Sequence, residues 1–137
     1  MRKSLLSLVL AEVARAARVT PAGGFQSTWV GDVLRHIEQN CLGPLSAREV
    51  SEVVHKSPSY VTTALKRATG KSVVEWITAG RLSEARRRLM HTDELVEIIA
   101  ERVGYADVTH FIRMFRRAHG VTPAAWRTHQ RHTPSSG

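Results

Sequence analysis

The chain has a single cysteine, Cys41, among its 137 residues. One cysteine cannot form an intramolecular disulfide, and it excludes a zinc site built from several cysteines. Aromatic residues make up only 6% of the chain, and no apolar run reaches the length of a membrane span. The sequence also lacks a phosphate loop, a Gly-x-Ser-x-Gly elbow and a paired metal-ligand motif. We therefore expect no enzymatic activity, no cofactor, no bound metal and no membrane partner.

Acidic residues are scarce beside basic ones. The chain has 20 Lys and Arg against 12 Asp and Glu, which gives a formal net charge of +8. Its hydrophobic content of 42% is enough for a folded core, so the excess of positive charge is not that of a disordered polyelectrolyte. A compact basic domain favours a polyanionic partner, nucleic acid first and an anionic membrane second. The charge alone is equally consistent with a basic soluble domain that binds neither.

The N-terminus loosely imitates an export signal, because basic residues precede a short apolar run. Glu12 and Arg15 interrupt that run, and its apolar residues recur at the spacing of one helix face. The pattern predicts an amphipathic helix over residues 3–18 rather than a signal, and hence a cytoplasmic, nucleoid-associated protein. The apolar face of this helix is a candidate homodimer contact.

Helix signals dominate the rest of the chain. Capping residues and glycines predict successive helices: one around residues 29–41, a short one capped by Ser46, one from Ser57 to Gly70, a long one over 73–90, one over about 94–102, one from Asp107 to His119, and a last one starting at Thr122–Pro123. The predicted fold is all-α. Its predicted divisions are an N-terminal helix and linker (1–28), a first unit with the long helix (29–90), a second unit (91–130) and a disordered tail (131–137).

An internal repeat organises these helices. A shift of 50 positions places Leu65–Gly70 on Phe115–Gly120 and Trp76 on Trp126, whereas upstream of Ser57 the shift is 49. The extra residue lies in a turn, where Gly104 occupies the position of His55 and suits a left-handed conformation better. Each copy is a short helix, a tight turn and a second helix, which is the helix-turn-helix outline. A two-copy solenoid is the alternative, disfavoured by the long helix between the copies.

The second copy resembles the DNA-binding domain of the AraC/XylS family of bacterial transcription regulators. The match rests on Ile99–Asp107, Phe111, Arg113, Phe115–Arg117, Gly120, Thr122–Pro123 and Trp126–Arg127, and it extends over roughly residues 29–127. The resemblance implies a homeodomain-like tandem helix-turn-helix fold, with two recognition helices held by a linker helix and entering successive major grooves of double-stranded DNA. It also implies transcription activation, often through contact with RNA polymerase.

Candidate DNA contacts follow from the family's positions and from the helix faces. The predicted core residues of the two second helices are Val61, Ala64, Leu65, Ala68, Phe111, Met114, Phe115 and Ala118. The predicted base contacts are Ser59, Thr62, Thr63, Val108, Thr109 and Arg113. The predicted phosphate contacts are Ser57, Lys66, Arg67, Lys71, Arg116 and Arg117. Arg113 is the strongest of these, since its guanidinium can pair with guanine O6 and N7; a phosphate contact or simple exposure is the alternative.

The candidate base contacts of the first copy are short Ser and Thr side chains, whereas the second copy has Arg113. We therefore predict that the second unit carries more of the sequence specificity. Arg86–Arg88 are expected to form a solvated face of the long helix, with a direct DNA role as the alternative. Trp29, Trp76 and Trp126 are expected in the core.

Three other readings stay open at this stage. Cys41 could accept alkyl groups, as in DNA repair proteins that share this type of DNA-binding domain, although the sequence shows no activating neighbours for it. His129 with His132 could hold a metal, although a frayed C-terminal tail disfavours such a site. A module that coats DNA without sequence preference, or that binds a protein, is the main alternative to a transcription regulator.

The chain is interpreted either as the DNA-binding domain of a longer regulator or as a stand-alone regulator.

Overall fold

The computed structural model describes residues 26–132, with side chains from Trp29 onward; the predicted helix over 3–18 and the tail 133–137 lie outside this range. The described residues form seven α-helices and no strand, which confirms the all-α prediction. In chain order they are α1 (Gln26–Asn40), α2 (Ala47–Val53), α3 (Pro58–Thr69), α4 (Val73–His91), α5 (Val96–Arg102), α6 (Val108–His119) and α7 (Pro123–His132). By contacts the chain divides between Gly80 and Arg81, inside α4, into two compact units.

The predicted capping residues begin the helices. Ser57 Oγ accepts a hydrogen bond from the Tyr60 amide, and Pro58 occupies the first position of α3, where no N–H is needed. Ser72 and Glu75 form a complete capping box at α4: the Glu75 amide donates to Ser72 Oγ and the Ser72 amide donates to Glu75 Oε1. Asp107 caps α6 by accepting from the Thr109 amide at 2.9 Å. These caps fix where each second helix begins.

The repeat survives in three dimensions. Helices α2 and α5 have 7 residues each and lie 49 positions apart, whereas α3 and α6 have 12 each and lie 50 apart. Gly70 and Gly120 end α3 and α6 in the left-handed conformation, with φ of 86° and 80°. The one-residue difference therefore lies in the turn between the two helices of each unit, as the sequence predicts.

That turn needs a left-handed residue in both units. His55 has φ of 55° and Gly104 has φ of 104°. An equivalent backbone hydrogen bond closes each turn. The Lys56 amide donates to the Ser51 carbonyl oxygen at 3.2 Å, and the Tyr105 amide donates to the Ala100 carbonyl oxygen at 2.9 Å. Ser51 and Ala100, whose carbonyl oxygens accept these bonds, are both buried.

Each unit has its own core. In the first unit the core gathers apolar side chains of α1, α2, α3 and the start of α4. Its members are Trp29, Val30, Val33, Leu34, Ile37, Cys41, Val50, Val61, Leu65, Val73, Trp76 and Ile77. The buried apolar residues of the second unit are Leu82, Ala85, Leu89, Ile99, Ala100, Val103, Tyr105, Phe111 and Phe115. Trp29 and Trp76 are buried as expected, whereas Trp126 is only half-buried.

The predicted boundaries need correction at two places. Helix α5 begins at Val96 rather than near Glu94, and Leu95 before it makes no side-chain cap. Glu94 instead accepts hydrogen bonds from Arg88 and Thr92. Helix α7 runs on to His132, two residues beyond the predicted end of the second unit at 130, and Arg131 in this last turn donates to Asp93 at 2.8 Å.

The expectation that Arg86–Arg88 form a solvated face is wrong for all three arginines. Arg87 and Arg88 both donate to Glu84, a buried carboxylate with 5% exposure, at 2.8–3.0 Å. Arg88 also donates to Glu94 at 2.9 Å, and Arg86 lies against His119. A buried carboxylate must be paired, so this run of positive charge serves the second unit's own structure.

Helix α7 holds the carboxyl end of α4 and the residues just after it through two guanidinium groups. Arg127 donates to the carbonyl oxygens of Leu89, Thr92 and Glu94 at 3.1, 3.2 and 2.7 Å. Arg131 adds hydrogen bonds to the carbonyls of Leu89 and Thr92. Carbonyls at a helix end lack partners within the helix and carry partial negative charge, so a cation stabilises them.

We expect His55→Gly to raise the free energy of unfolding by about 0.5–1 kcal/mol, because the left-handed strain it relieves exceeds the added chain entropy of glycine. Gly104→Ala, the matched change in the second unit, should lower it by about 1 kcal/mol or more. Urea unfolding of both variants measures this. A destabilised His55→Gly variant would contradict the strain assigned to this turn.

Arg127→Met should lower the free energy of unfolding by about 2–4 kcal/mol, because three carbonyls lose a charged donor. Arg127→Lys should recover only part of the loss, since an ammonium cannot match the guanidinium's fork. Arg35→Met is the control: Arg35 is exposed, and among residues 29–132 its ion-pair partner is Asp32 alone, so its loss should cost at most about 1 kcal/mol. Urea unfolding measures both variants. Equal losses of unfolding free energy at positions 127 and 35 would contradict the role of Arg127 in holding the end of α4.

Candidate nucleic-acid interface

The second helix of each unit is anchored along one narrow line. Val61 and Leu65 of α3 are fully buried, as are Phe111 and Phe115 of α6. Residues four apart lie nearly above one another on a helix, so each pair forms a single apolar edge. The buried, half-buried and exposed positions over 61–70 repeat without change over 111–120. Both helices therefore turn the same face outward.

Two predicted core residues lie on the outward side. Ala68 and Ala118 are exposed, and the half-buried positions in the last turn belong to Thr69 and His119. A step of four residues from Leu65 or Phe115 continues the buried line, whereas a step of three turns away from it. Ala64 and Met114 are half-buried rather than fully in the core.

The predicted base contacts of α3 are short side chains at its surface. Ser59 and Thr63 are exposed and Thr62 is half-buried. Ser57, a predicted phosphate contact, directly precedes α3 as its N-terminal cap. This face can hydrogen-bond weakly or touch a thymine methyl, but it carries no bidentate donor.

Helix α6 presents a different face at the matching positions. Thr109 and Arg113 are exposed and Val108 is half-buried. Arg113 occupies the place of Thr63, 50 positions further on. Its guanidinium has no carboxylate within ion-pair distance among residues 29–132. The charge and its five donors therefore remain available to a ligand.

The predicted phosphate contacts of the first unit differ in how they are held. Lys66 donates to Glu75 at 3.2 Å. Hydrogen bonds from the Ser72 amide and from Lys66 hold the pKa of Glu75 below its usual range. Lys71 lies over the Trp76 ring at 5.0 Å from the centroid, and Arg67 is exposed. Lys66 is thus partly neutralised, whereas Arg67 and Lys71 have no ion-pair partner in the part of the chain that the structure describes.

Arg116 and Arg117 continue the basic face of α6 beyond Arg113. Both are exposed, and neither has an ion-pair partner in the described part of the chain. Asp107 is the nearest acidic group in sequence, and its carboxylate is engaged in capping α6. The outward face of α6 is therefore strongly basic.

His119, the last residue of α6, makes a contact that the sequence did not predict. Its Nε2 lies 3.2 Å from Arg86 Nη1, and its ring packs on Phe115 with centroids 4.4 Å apart. An arginine can only donate, so His119 accepts with a neutral ring. Burial, and then the nearby Arg86 charge, lowers the pKa of His119 below its ordinary value of 6.5.

Lys56, in the turn before α3, is a second residue whose contacts the sequence did not predict. Its Nζ lies 5.8 Å from the Trp29 ring centroid and 5.2 Å from that of Tyr60. Trp29 comes from α1, so only the tertiary structure reveals the contact. A lone lysine in a turn carries no sequence signal for it.

The residues weighed for other chemistry lie apart from this face. Cys41 is buried in the core of the first unit. His132 Nδ1 lies 2.8 Å from the Thr128 carbonyl oxygen, within its own helix. Among residues 26–132 no cluster of three or more His, Cys, Asp or Glu side chains could hold a metal ion. No helix in the same range is long and apolar enough to cross a membrane.

Two units of one build, each with a capped second helix that turns polar and basic side chains outward, define a tandem helix-turn-helix protein. A family model described as a helix-turn-helix domain matches residues 50–129, more than half of the chain. The chain belongs to the AraC/XylS family of DNA-binding transcription regulators, and it corresponds to their DNA-binding domain.

The chain is similar to several proteins of this kind. It is 31% identical over 101 residues to the bifunctional transcriptional activator/DNA repair enzyme AdaA of Bacillus subtilis, covering 74% of this chain and 48% of AdaA. The C-terminal domain of AraT, a response regulator from Geobacillus stearothermophilus, superposes with a TM-score of 0.72 at 27% identity, covering 88% of this chain and 93% of that domain. The DNA-binding domain of AdpA, solved with a target DNA, has the same fold (TM-score 0.72, 22% identity, 79% and 97% covered). The chain spans less than half the length of the first curated relatives it matches.

We expect the free energy of unfolding to fall as the pH drops below about 6.5, the ordinary pKa of histidine. Because the folded-state pKa of His119 is lowered, the unfolded chain binds a proton there that the folded chain resists, and stability present above pH 6.5 is lost on acidification. His119→Gln keeps an acceptor for Arg86 and cannot titrate, so its stability should fall less between pH 7.5 and 5.5.

Chemical unfolding at the two pH values checks this. His110→Gln serves as the control, since His110 is exposed on the same helix and lies edge-on to Tyr105. A pH dependence in His119→Gln equal to that of the parent chain would show that the contact with Arg86 is not responsible.

Proposed function

We propose that this chain binds DNA in a sequence-specific manner and regulates transcription, with α3 and α6 each entering a major groove. The observation that carries the proposal is the guanidinium of Arg113, which is exposed on the outward face of α6 between Thr109 and Arg116 and has no ion-pair partner among residues 29–132. A guanidinium there can donate two hydrogen bonds to guanine O6 and N7, which discriminates against other bases by about 1–3 kcal/mol.

The two helices divide the work of recognition in this proposal. Helix α6 reads bases through Arg113, helped by Thr109 and Val108, and its Arg116 and Arg117 contact phosphates. Helix α3 offers only Ser59, Thr62 and Thr63 to the bases, and we assign it mainly shape and backbone contacts through Ser57, Lys66, Arg67 and Lys71. The different side chains on the same outward face support this division.

Regulation is proposed to be activation through contact with RNA polymerase. Support comes from the family and from AdaA, whose name describes a transcriptional activator. We propose no DNA repair activity for this chain, because its one cysteine lies in the core, where an alkylated base cannot reach it. Self-association through residues 3–18 remains a proposal, since that segment lies outside the described residues.

Selection of bound duplexes from a random library, followed by sequencing, tests the proposal. The parent chain should enrich an asymmetric site with two elements about 10 base pairs apart, one per helical turn. Arg113→Ala should relax the base preference in one element, whereas Thr63→Ala, its counterpart in α3, should leave the enriched site nearly unchanged. Equal loss of affinity on all duplexes for both variants would contradict the assignment of Arg113 to base reading.

A DNA-coating module is the second candidate, and the basic outward face of α6 is the observation that favours it. Such a module enriches no sequence, and its binding fades as salt rises. The same selection experiment therefore separates the two functions.

A further inference from the structure

Two lysines of the first unit flank α3, one at each end, and the ammonium group of each lies over an aromatic ring. At the start of the helix, Lys56 Nζ lies 5.8 Å from the Trp29 ring centroid and 5.2 Å from that of Tyr60. At the other end, Lys71 Nζ lies 5.0 Å from the Trp76 ring centroid. Ring contacts of this kind attract the ammonium and restrict its side chain. Both charges are thereby held in place on the flanks of the helix.

The ring contacts orient these charges without neutralising them. Lys66, within α3, pairs with Glu75 at 3.2 Å. Neither Lys56 nor Lys71 has a carboxylate within ion-pair distance among residues 29–132. An ammonium already fixed by a neutral ring loses less side-chain freedom when it binds an anion. Lys56 and Lys71 are therefore better prepared to bind an anion than Lys66.

The spacing of the two lysines suits the edges of a DNA groove. Lys56 directly precedes the cap Ser57 and Lys71 directly follows the terminator Gly70, with the 12 residues of α3 between them. Twelve residues of α-helix span about 18 Å, and the major groove is about 12 Å wide. Cations at the two ends of such a helix can each reach a strand bordering the groove.

The second unit lacks both cations at the matching positions. The turn residue that corresponds to Lys56 is Tyr105, which is buried, and the residue that corresponds to Lys71 is Val121. The ring-held pair is thus a property of one unit only. It is the unit whose recognition helix exposes hydroxyl groups in place of an arginine.

We propose that Lys56 and Lys71 form a phosphate bracket, in which ring-held ammonium groups grip the DNA backbone on both sides of the groove that α3 enters. Lys56 is a DNA contact that the sequence did not indicate, and Trp29 and Tyr60 are its positioning residues. The bracket supplies affinity without sequence preference to the unit that lacks a base-reading fork. This inference rests on the proposed function, since it requires that α3 bind duplex DNA.

The salt dependence of binding to one fixed duplex tests the bracket. Each phosphate contact that is lost should reduce the slope of log K against log salt concentration by about 0.9. We expect that reduction for Lys56→Met and again for Lys71→Met, about 1.8 for the double variant, and no change for Lys56→Arg. The relative preference among different duplexes should stay the same in all of them.

Arg35→Met is the matched control. It also removes one positive charge from the first unit, but Arg35 lies on α1 and pairs with Asp32 at 3.0 Å. Its slope should equal that of the parent chain. An equal reduction in Arg35→Met and Lys56→Met would overturn the bracket, because the effect would then come from net charge alone.

A double-mutant cycle tests the positioning role of Tyr60. Tyr60→Leu should weaken binding when Lys56 is present and have little effect when Lys56 is already methionine, whereas Tyr60→Phe, which keeps the ring, should behave as the parent. Tyr60 is 45% exposed, so these changes should leave the fold intact, which thermal melting checks. Equal losses from Tyr60→Leu in both backgrounds would contradict the positioning role.

The failure of this inference is distinguishable from the failure of the proposed function. If the parent chain binds duplex DNA and Lys56→Met keeps its full salt slope, the bracket is wrong and the DNA-binding function stands. If the parent chain binds no duplex at any salt concentration, both are wrong.

Discussion

The structure depends on burying two side chains, one helical turn apart, on the second helix of each unit, α3 or α6. Val61 with Leu65, and Phe111 with Phe115, are the positions at which these helices enter their cores. Beside this anchor, half of the positions over 61–70 and over 111–120 are exposed. The free face can then vary between the two copies without disturbing the packing, as the exchange of Thr63 for Arg113 illustrates.

Narrow anchoring also requires that both ends of each helix be fixed by other means. Caps at Ser57 and Asp107 and left-handed glycines at 70 and 120 define the ends, and the turn at His55 or Gly104 sets the approach. In the second unit, the last turn of α6 is held further by the contact of His119 with Arg86. The shared frame and the dissimilar outer faces together favour two readers with unequal tasks.

Much of this fold could be predicted from the residues because its determinants are local. The change of shift from 49 to 50, the caps at Ser57 and Asp107 and the terminal glycines at 70 and 120 depend on a few neighbouring positions, and all reappear in the structure. Ala68 and Ala118 were wrongly placed in the core because in the last turn the buried line passes through Thr69 and His119, four residues after Leu65 and Phe115.

The contacts that could not be predicted join residues distant in sequence. Arg127 reaches carbonyls 33–38 positions away, and Lys56 lies on a ring of α1. The charge pattern of Arg86–Arg88 is the same whether the guanidinium groups face water or a buried Glu84, and only the fold distinguishes these cases. For the interface, the residues predicted candidate positions, but they could not show which cations are already paired, as Lys66 is with Glu75.

The central claim is that this chain distinguishes one DNA sequence from another. The most direct measurement is the ratio of its affinity for the best selected duplex to its affinity for random duplex DNA, taken by competition at physiological salt. The account predicts a ratio of about 10³ or more. A ratio near one, with binding to both duplexes falling together as salt rises, would contradict it and leave a protein that coats DNA without reading it.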